Sequence, residues 1–425
     1  MSRRVIILLC AIAGLCLAGC GDDDGTRPPP REPRALIVKA DGMGEFPNIQ
    51  AAVAAAIDGD TIMLDSGTFS GPGNRDVDYS GKRIVIRSMT GHPSSVTIDC
   101  VPDEGSDNNH RGFYFHSGEG PAAVLEGLTI INGSATGGGV RVDSSSSPTI
   151  RNVVFRENSA LGLYCWGSSP IVERCIFTRN SPRGAMECYA ESAPVVRYCQ
   201  FVRNYSDYGG AGFASYLSAP VLAHCVFWDN QSKLGGGGAQ IGISSETALG
   251  EFSISYCVFS DNIAGSFGGG LLIGGTDGTV SDCVFRSNWA SRGGGLYVGQ
   301  NVTAAIDHST IVTNYASKGA GIWLYSGATV TIGNTIIAFN NQGAAVECDS
   351  EFSISEATLT CCDVYGNAGG NWVDCLQGQL SRNKNVSADP LFCDMDSGNL
   401  LLHADSPCIN DSCGVIGMYG VGCGL

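Results

Sequence analysis

The chain has 425 residues and a formal net charge of −16 at neutral pH, with 25 Lys and Arg against 41 Asp and Glu. So acidic a surface argues against nucleic acid as a partner and against unassisted binding of anionic polymers; it suits neutral ligands, cations or plain solubility. With 59 Gly and only 16% charged residues, the composition fits a chain in which much of every turn points inward and tight corners recur.

At the start of the chain, Arg3 and Arg4 precede an apolar run from Val5 to Leu17. It is shorter than the roughly 20 residues a spanning helix needs and reads as an export signal covering residues 1–19. The run closes on Leu17-Ala18-Gly19-Cys20, which resembles the lipobox of bacterial lipoproteins. That resemblance implies lipidation of Cys20 and attachment to the membrane through the lipid alone. In such lipoproteins an Asp after the cysteine favours the inner membrane; Gly21 stands there instead, which points to the outer membrane or cell surface. Residues 20–34 lack apolar periodicity and read as a flexible tether.

Next comes a short helical pattern, with Ile49, Ala52, Val53, Ala56 and Ile57 on one apolar face. A repeat then takes over. An apolar residue followed three later by Asn recurs as Phe155/Asn158, Phe177/Asn180, Phe201/Asn204, Phe227/Asn230, Phe259/Asn262, Phe285/Asn288, Ile311/Asn314, Ile337/Asn340 and Val364/Asn367. Two residues before the anchor stand Cys175, Cys199, Cys225, Cys257, Cys283 and Cys362. Each Asn is followed by a Gly-rich corner and a second apolar pair, such as Leu296/Val298. Alternation with period 2 means strands, and two or three short strands per repeat of about 22–32 residues make one coil of a solenoid. The Asn is expected to take a positive φ at a sharp bend and to hydrogen-bond the Asn of the next coil.

The repeat resembles the right-handed parallel β-helix proteins of the pectin-lyase-like superfamily, across essentially all of residues 35–425. The resemblance implies an all-β solenoid as a single domain. Residues 35–70 would form the N-terminal cap and first coil, with the short helix as the lid. Residues 375–425, including Ala388-Asp389-Pro390-Leu391-Phe392 and Gly414-Val415-Ile416-Gly417, would form a Cys-rich C-terminal cap. Of the cysteines, the anchor-minus-two row is expected to be a ladder of buried free thiols. Cys165 and Cys188 are a candidate bridge or a second stack. Cys361, Cys375, Cys393, Cys408, Cys413 and Cys423 form an even set suited to disulfides in an exported protein.

The superfamily includes polysaccharide lyases, hydrolases and epimerases beside non-enzymatic repeats, so the fold leaves function open. The hydrolase motifs Asn-Thr-Asp, Asp-Asp, Gly-His-Gly and Arg-Ile-Lys have no match in the coils. Ile306-Asp307-His308 resembles part of a lyase motif, but Ala305 replaces its Trp, and the only Arg beyond His308 is Arg382. Asp307 and His308 are therefore weak catalytic candidates that read as one rung of a solvated polar row. Between the inward pairs of the second strand stand Tyr164, Glu187, Phe213, Gln240, Leu272, Tyr297, Trp323 and Glu347. Stacked in register, they would form an exposed row of aromatic, amide and carboxylate groups suited to the faces and hydroxyls of sugars. The expectation is a non-catalytic cell-surface β-helix serving adhesion, glycan binding or structure. The alternative is a polysaccharide-active enzyme with degenerate motifs. No cofactor is expected, apart from Ca²⁺ as a possible bridge to polyuronates.

Overall fold

The computed structural model describes residues 31–102, 109–143, 145–242, 250–349 and 351–424. The export signal and Cys20 lie outside them, and the body described below begins at Pro33. One coil shows how the repeat folds. Val221–Ala223 is a strand of a first sheet, the chain turns at His224, and Val226–Trp228 is a strand of a second sheet. Beyond Asn230 and a run of glycines, Ala239–Ile241 is a strand of a third. The next coil lays Leu222 beside Ile254, Phe227 beside Phe259 and Gln240 beside Leu272, all in parallel. Among the described residues this yields parallel sheets of 13, 12 and 11 strands.

The anchor row is the spine of the core. Phe155, Phe177, Phe201, Phe227, Phe259 and Phe285 are fully buried, and successive rings stack 4.6–4.8 Å apart. Ile311, Ile337 and Val364 continue the row. It also begins earlier than the repeat reveals, at Phe69, Ile98 and Ile130, whose coils carry no Asn marker.

The asparagines form the expected ladder. Asn204 Nδ2 donates to Asn230 Oδ1 at 3.0 Å and to the Phe177 carbonyl at 3.0 Å, and Asn230 Oδ1 also accepts from the Asn204 amide nitrogen at 3.1 Å. The side-chain chain runs unbroken from Asn158 to Asn367. The positive φ, however, falls on the residue before each Asn: Arg203, Asp229 and Asp261 have φ of 54°, 53° and 57°. The reason is a division of labour. The bend needs a residue facing solvent, whereas the amide must point inward to satisfy three buried backbone and side-chain groups.

At the N-terminal end, Ala35–Val38 opens the first sheet and the helix Ile49–Ala55 closes the coil. The Asn48 side chain accepts from the Ala51 amide at 2.8 Å, and Lys82 Nζ donates to the carbonyls of Val53, Ala54 and Ala56 at the other end. Ile49, Ala52, Val53 and Ala56 are buried on the core. Ile57 is 38% exposed, contrary to the helical pattern, because the helix ends at Ala55 and the chain is extended from Ala56.

The C-terminal segment does more than cap. Leu376 is buried on the last coil, in the short turn Asp374–Leu376. Beyond it, Phe392–Asp394, Asn399–His403 and Val421–Cys423 form a small sheet of their own. Leu400, Leu402, Cys408 and Ile416 pack on Val284, Val312, Ile336 and Ala338, on the outer side of the second sheet. The segment is thus a strap laid along the coils, held also by the Met418 amide on Thr310 Oγ1 at 3.1 Å.

Cys175, Cys199, Cys225, Cys257 and Cys283 are free and buried as a ladder, and the Cys225 amide donates to Cys257 Sγ at 3.4 Å. Cys165 and Cys188 are likewise free and adjacent in register. The disulfides are Cys348–Cys375, Cys361–Cys413 and Cys393–Cys423. The expected even set therefore gains Cys348 and loses Cys408. The Cys408 thiol lies under the strap, donating to Asp363 Oδ2 at 3.3 Å, where burial pushes the carboxyl up to about 6.

Two measurements probe these arrangements. Asn230→Ala should cost roughly 3–5 kcal/mol, since it leaves a cavity and unpaired partners. Asp229→Gly should stay within about 1 kcal/mol of the parent, because relief of a left-handed side chain opposes added chain entropy. Denaturant midpoints give the ranking, and the reverse order would place the bend on the asparagine. Separately, alkylation after denaturation without reduction should label Cys408 with the ladder thiols and leave Cys348 unlabelled; an unlabelled Cys408 would contradict this pairing.

Candidate functional site

The third sheet presents the outward row to which sequence reasoning points. Tyr164 lies beside Glu187, and the row continues through Gln240, Leu272, Tyr297, Trp323 and Glu347, one per coil. Phe213 is not in it. Phe213 pairs with Met186 and Ala239 and is fully buried in the core, while Ala214 holds the outward place between Glu187 and Gln240. A shift of one residue exchanges the faces of a strand, and Phe213-Ala214-Ser215 carries no polar residue at its centre to mark the register.

The row is not exposed, which corrects the expectation of an open aromatic surface. Gln240 is fully buried, and Tyr297 and Trp323 are 8% and 3% exposed. The chain crossing from the second sheet to the third runs over this face. Phe267 packs on Tyr297 with ring centroids 5.0 Å apart, and Lys318 Nζ sits 5.1 Å from the Trp323 ring centre. Glu347 accepts from the Gly319 amide at 2.8 Å. Glu187 is paired with Arg183 at 2.9 Å; burial raises its carboxyl above the ordinary value and Arg183 opposes the rise. Burial also pushes the Tyr297 phenol well above its ordinary range, so it remains a donor.

The open feature arises two residues further along each strand. There a second outward row runs Trp166, Tyr189, Tyr216, Gly242, Gly274, Gly299, Tyr325, by extension of the strand registers. Tyr189 stacks on Tyr216 at 4.5 Å and on Trp166 at 5.9 Å. Three successive glycines follow, and a cleft of about 1170 Å³ opens between Tyr216 and Tyr325, with Gly274 and Gly299 in its lining. Gln240, Leu272 and Tyr297 line it, with Tyr208, Leu234 and Phe267 from the crossing loops and Glu251, Asp277, Gln300 and Asn301 from the opposite side. Among the described residues neither polar atom of the Gln240 amide has a hydrogen-bond partner. Its Oε1 lies so close to Gly209 that a Cβ there would fall 1.9 Å away, so a larger residue would displace the amide. A Cβ at Gly274, by contrast, would meet its nearest atom at 3.4 Å, an ordinary van der Waals contact, so a side chain is tolerated there.

A second grouping lies at the N-terminal end of the same face. Arg141 donates to Asp143 Oδ2 at 2.5 Å, and the Tyr114 hydroxyl donates to the same oxygen at 3.0 Å. Arg111 and Arg141 lie 4.7 and 5.7 Å from the Tyr114 ring centre. His110 and His116 contact Asp76 and Asp78 at 2.6 and 3.2 Å. Burial, then the neighbouring Arg141, lower Arg111 from its ordinary value. Carboxylates and bases thus converge here, although each cation already faces a carboxylate.

Asp307 and His308 stand elsewhere, at the corner between the first and second sheets. Both side chains are about half exposed; His308 Nδ1 contacts Asp307 Oδ2 at 2.9 Å, and Asn334 Nδ2 donates to Asp307 Oδ1 at 3.1 Å. Earlier coils fill the same corner with Tyr198, His224 and Tyr256, whose rings stack 4.8 Å apart. For metal, the one grouping of ligand side chains among the described residues is Cys348, Asp374 and Cys375, and its two sulfurs are joined in a disulfide.

No curated protein sequence matches this chain. Solved structures resemble it in fold. They include pectate lyase Pel9A at 16% identity and TM-score 0.47, over 92% of this chain and 96% of that one. The A-module of the Azotobacter vinelandii mannuronan C-5 epimerase AlgE6 matches at 17% and 0.48, over 80% and 94%. A PL6 alginate lyase in complex with a trisaccharide matches at 13% and 0.46, over 91% and 95%. The family description "Right handed beta helix region" matches residues 104–254 and 235–385. With its parallel coils, Asn ladder and stacked aromatic core, the chain belongs to the right-handed β-helix family.

Proposed function

We propose that this protein is an exported lipoprotein, anchored through Cys20 at the outer membrane or cell surface, whose β-helix binds a glycan without changing it. The observation that carries the binding is the cleft lined by Gly274 and Gly299. It combines aromatic walls with an unpartnered buried amide, the mixture that suits the apolar faces and hydroxyls of a sugar. The three disulfides and the Leu17–Cys20 motif support export, since disulfides persist in oxidising compartments. Gly274→Tyr tests the cleft, because a side chain there would occupy it with little strain. Glycan affinity should fall at least about tenfold with an unchanged denaturation midpoint; undiminished binding on a glycan array would sink the assignment. Trp323→Ala is a poor probe, since truncating so buried a ring costs roughly 3–5 kcal/mol.

The second reading is a polysaccharide-active enzyme, favoured by the convergence of Asp76, Asp78, Asp143, Arg111, Arg141, His110 and His116. The matched pairing of these charges supports a structural network instead. Incubation with polygalacturonate and Ca²⁺ should therefore yield no unsaturated product absorbing in the near ultraviolet. Appearance of that product, and its loss in Arg141→Gln or His116→Gln, would establish catalysis at this end of the sheet.

A further inference from the structure

We infer that the glycine-lined cleft takes an uncharged glycan chain and rejects uronate polymers; this rests on the cleft being the binding site. Three observations carry it. The first is the charge of the lining. Glu251 and Asp277 stand exposed on one side, and no Lys, Arg or His is among the described residues lining the cleft. Asp277 Oδ1 accepts from the Thr303 amide at 2.7 Å, which fixes its carboxylate at the rim. An anionic polymer would meet two carboxylates with no cation between them, in the field of a chain of net charge −16.

The second is the chemistry of the floor. The Gln240 amide offers one acceptor and two donor hydrogens, and among the described residues it makes no well-formed hydrogen bond, with the Tyr216 hydroxyl beside it. A hydroxyl both donates and accepts, so it can satisfy either end of that amide. A carboxylate only accepts, so it can pair with the Nε2 hydrogens but offers no donor to Oε1.

The third is shape. Tyr216 and Tyr325 stand four coils apart, about 19 Å along the axis at about 4.8 Å per coil. Between them the glycines leave a trough lengthwise to the helix, closed at each end by a tyrosine. A short stretch of a linear oligosaccharide fits such a trough, with its ring faces against Phe267 and Tyr297 and its hydroxyls toward Gln240, Gln300 and Asn301. Of the cations nearby, Arg183 is held on Glu187, and Arg292, 5.7 Å from the Phe267 ring centre, is not among the described residues that line the trough.

The test is calorimetric titration of the full-length protein with neutral hexasaccharides of glucan, xylan and mannan, and with hexamers of galacturonate and mannuronate. At least one neutral hexamer should bind at least about tenfold more tightly than either uronate. The double variant Glu251→Gln with Asp277→Asn should raise uronate affinity at least about tenfold, and Gly274→Tyr should abolish binding of every probe. Uronate preferred by the parent protein, and lost in Gly274→Tyr, would overturn the inference while leaving the cleft as the site. Neutral binding that survives Gly274→Tyr would remove the cleft from consideration, as would failure of every probe to bind.

Discussion

Everything outside the core depends on one constraint: each coil must bend at the same place as the coil beneath it. The asparagine ladder enforces this. Each amide donates to the next asparagine and to a backbone carbonyl of the neighbouring coil, and its oxygen accepts a backbone amide. Deep in the corner, where water cannot substitute, a coil that turned one residue early would leave several of these groups unpaired. Register is therefore held by polar groups, and the stacked phenylalanines fill the space that this register defines.

Once bends are fixed, outward positions are free to vary without cost to the stack. The third sheet shows two uses of that freedom. In one row the side chains are large and the crossing loops close over them, so Trp323 and Tyr297 become a second small core with Leu272. In the row beside it three glycines occur in succession, and the same loops now overhang an empty trough. The cleft comes from omission: between Tyr216 and Tyr325, Gly274 and Gly299 bring no side chains to fill it.

The fold was legible because its determinants repeat. Anchor, asparagine and thiol rows recur often enough to set the period, and the helix that closes the first coil has an apolar face of its own. What escaped was whatever the period does not encode. The early coils at Phe69, Ile98 and Ile130 lack the asparagine that marks the others. Phe213 was misplaced because a strand of three apolar or small residues reads equally well in two registers. The aromatic row was located correctly from Gln240 to Glu347, but its burial depends on loops whose paths no local pattern records. The glycines at 242, 274 and 299 each follow an inward residue of the third sheet, but glycine is also the usual residue of corners, so nothing in the repeat sets them apart. Sequence gave the Arg111, Tyr114 and Arg141 grouping no signal, because its members come from irregular early coils.

The strap and the three disulfides all sit at one end. In a stack where each coil touches only its neighbours, opening starts from the ends and advances coil by coil. The C-terminal coils are crosslinked to one another and to the strap over them. The N-terminal coils have, among the described residues, only a helix of seven residues and its lysine clasp to hold them shut. The molecule therefore frays from one side. A protease would erode the coils nearest the helix first, and the trough, set several coils further in and toward the crosslinked end, would be the last surface to lose its shape.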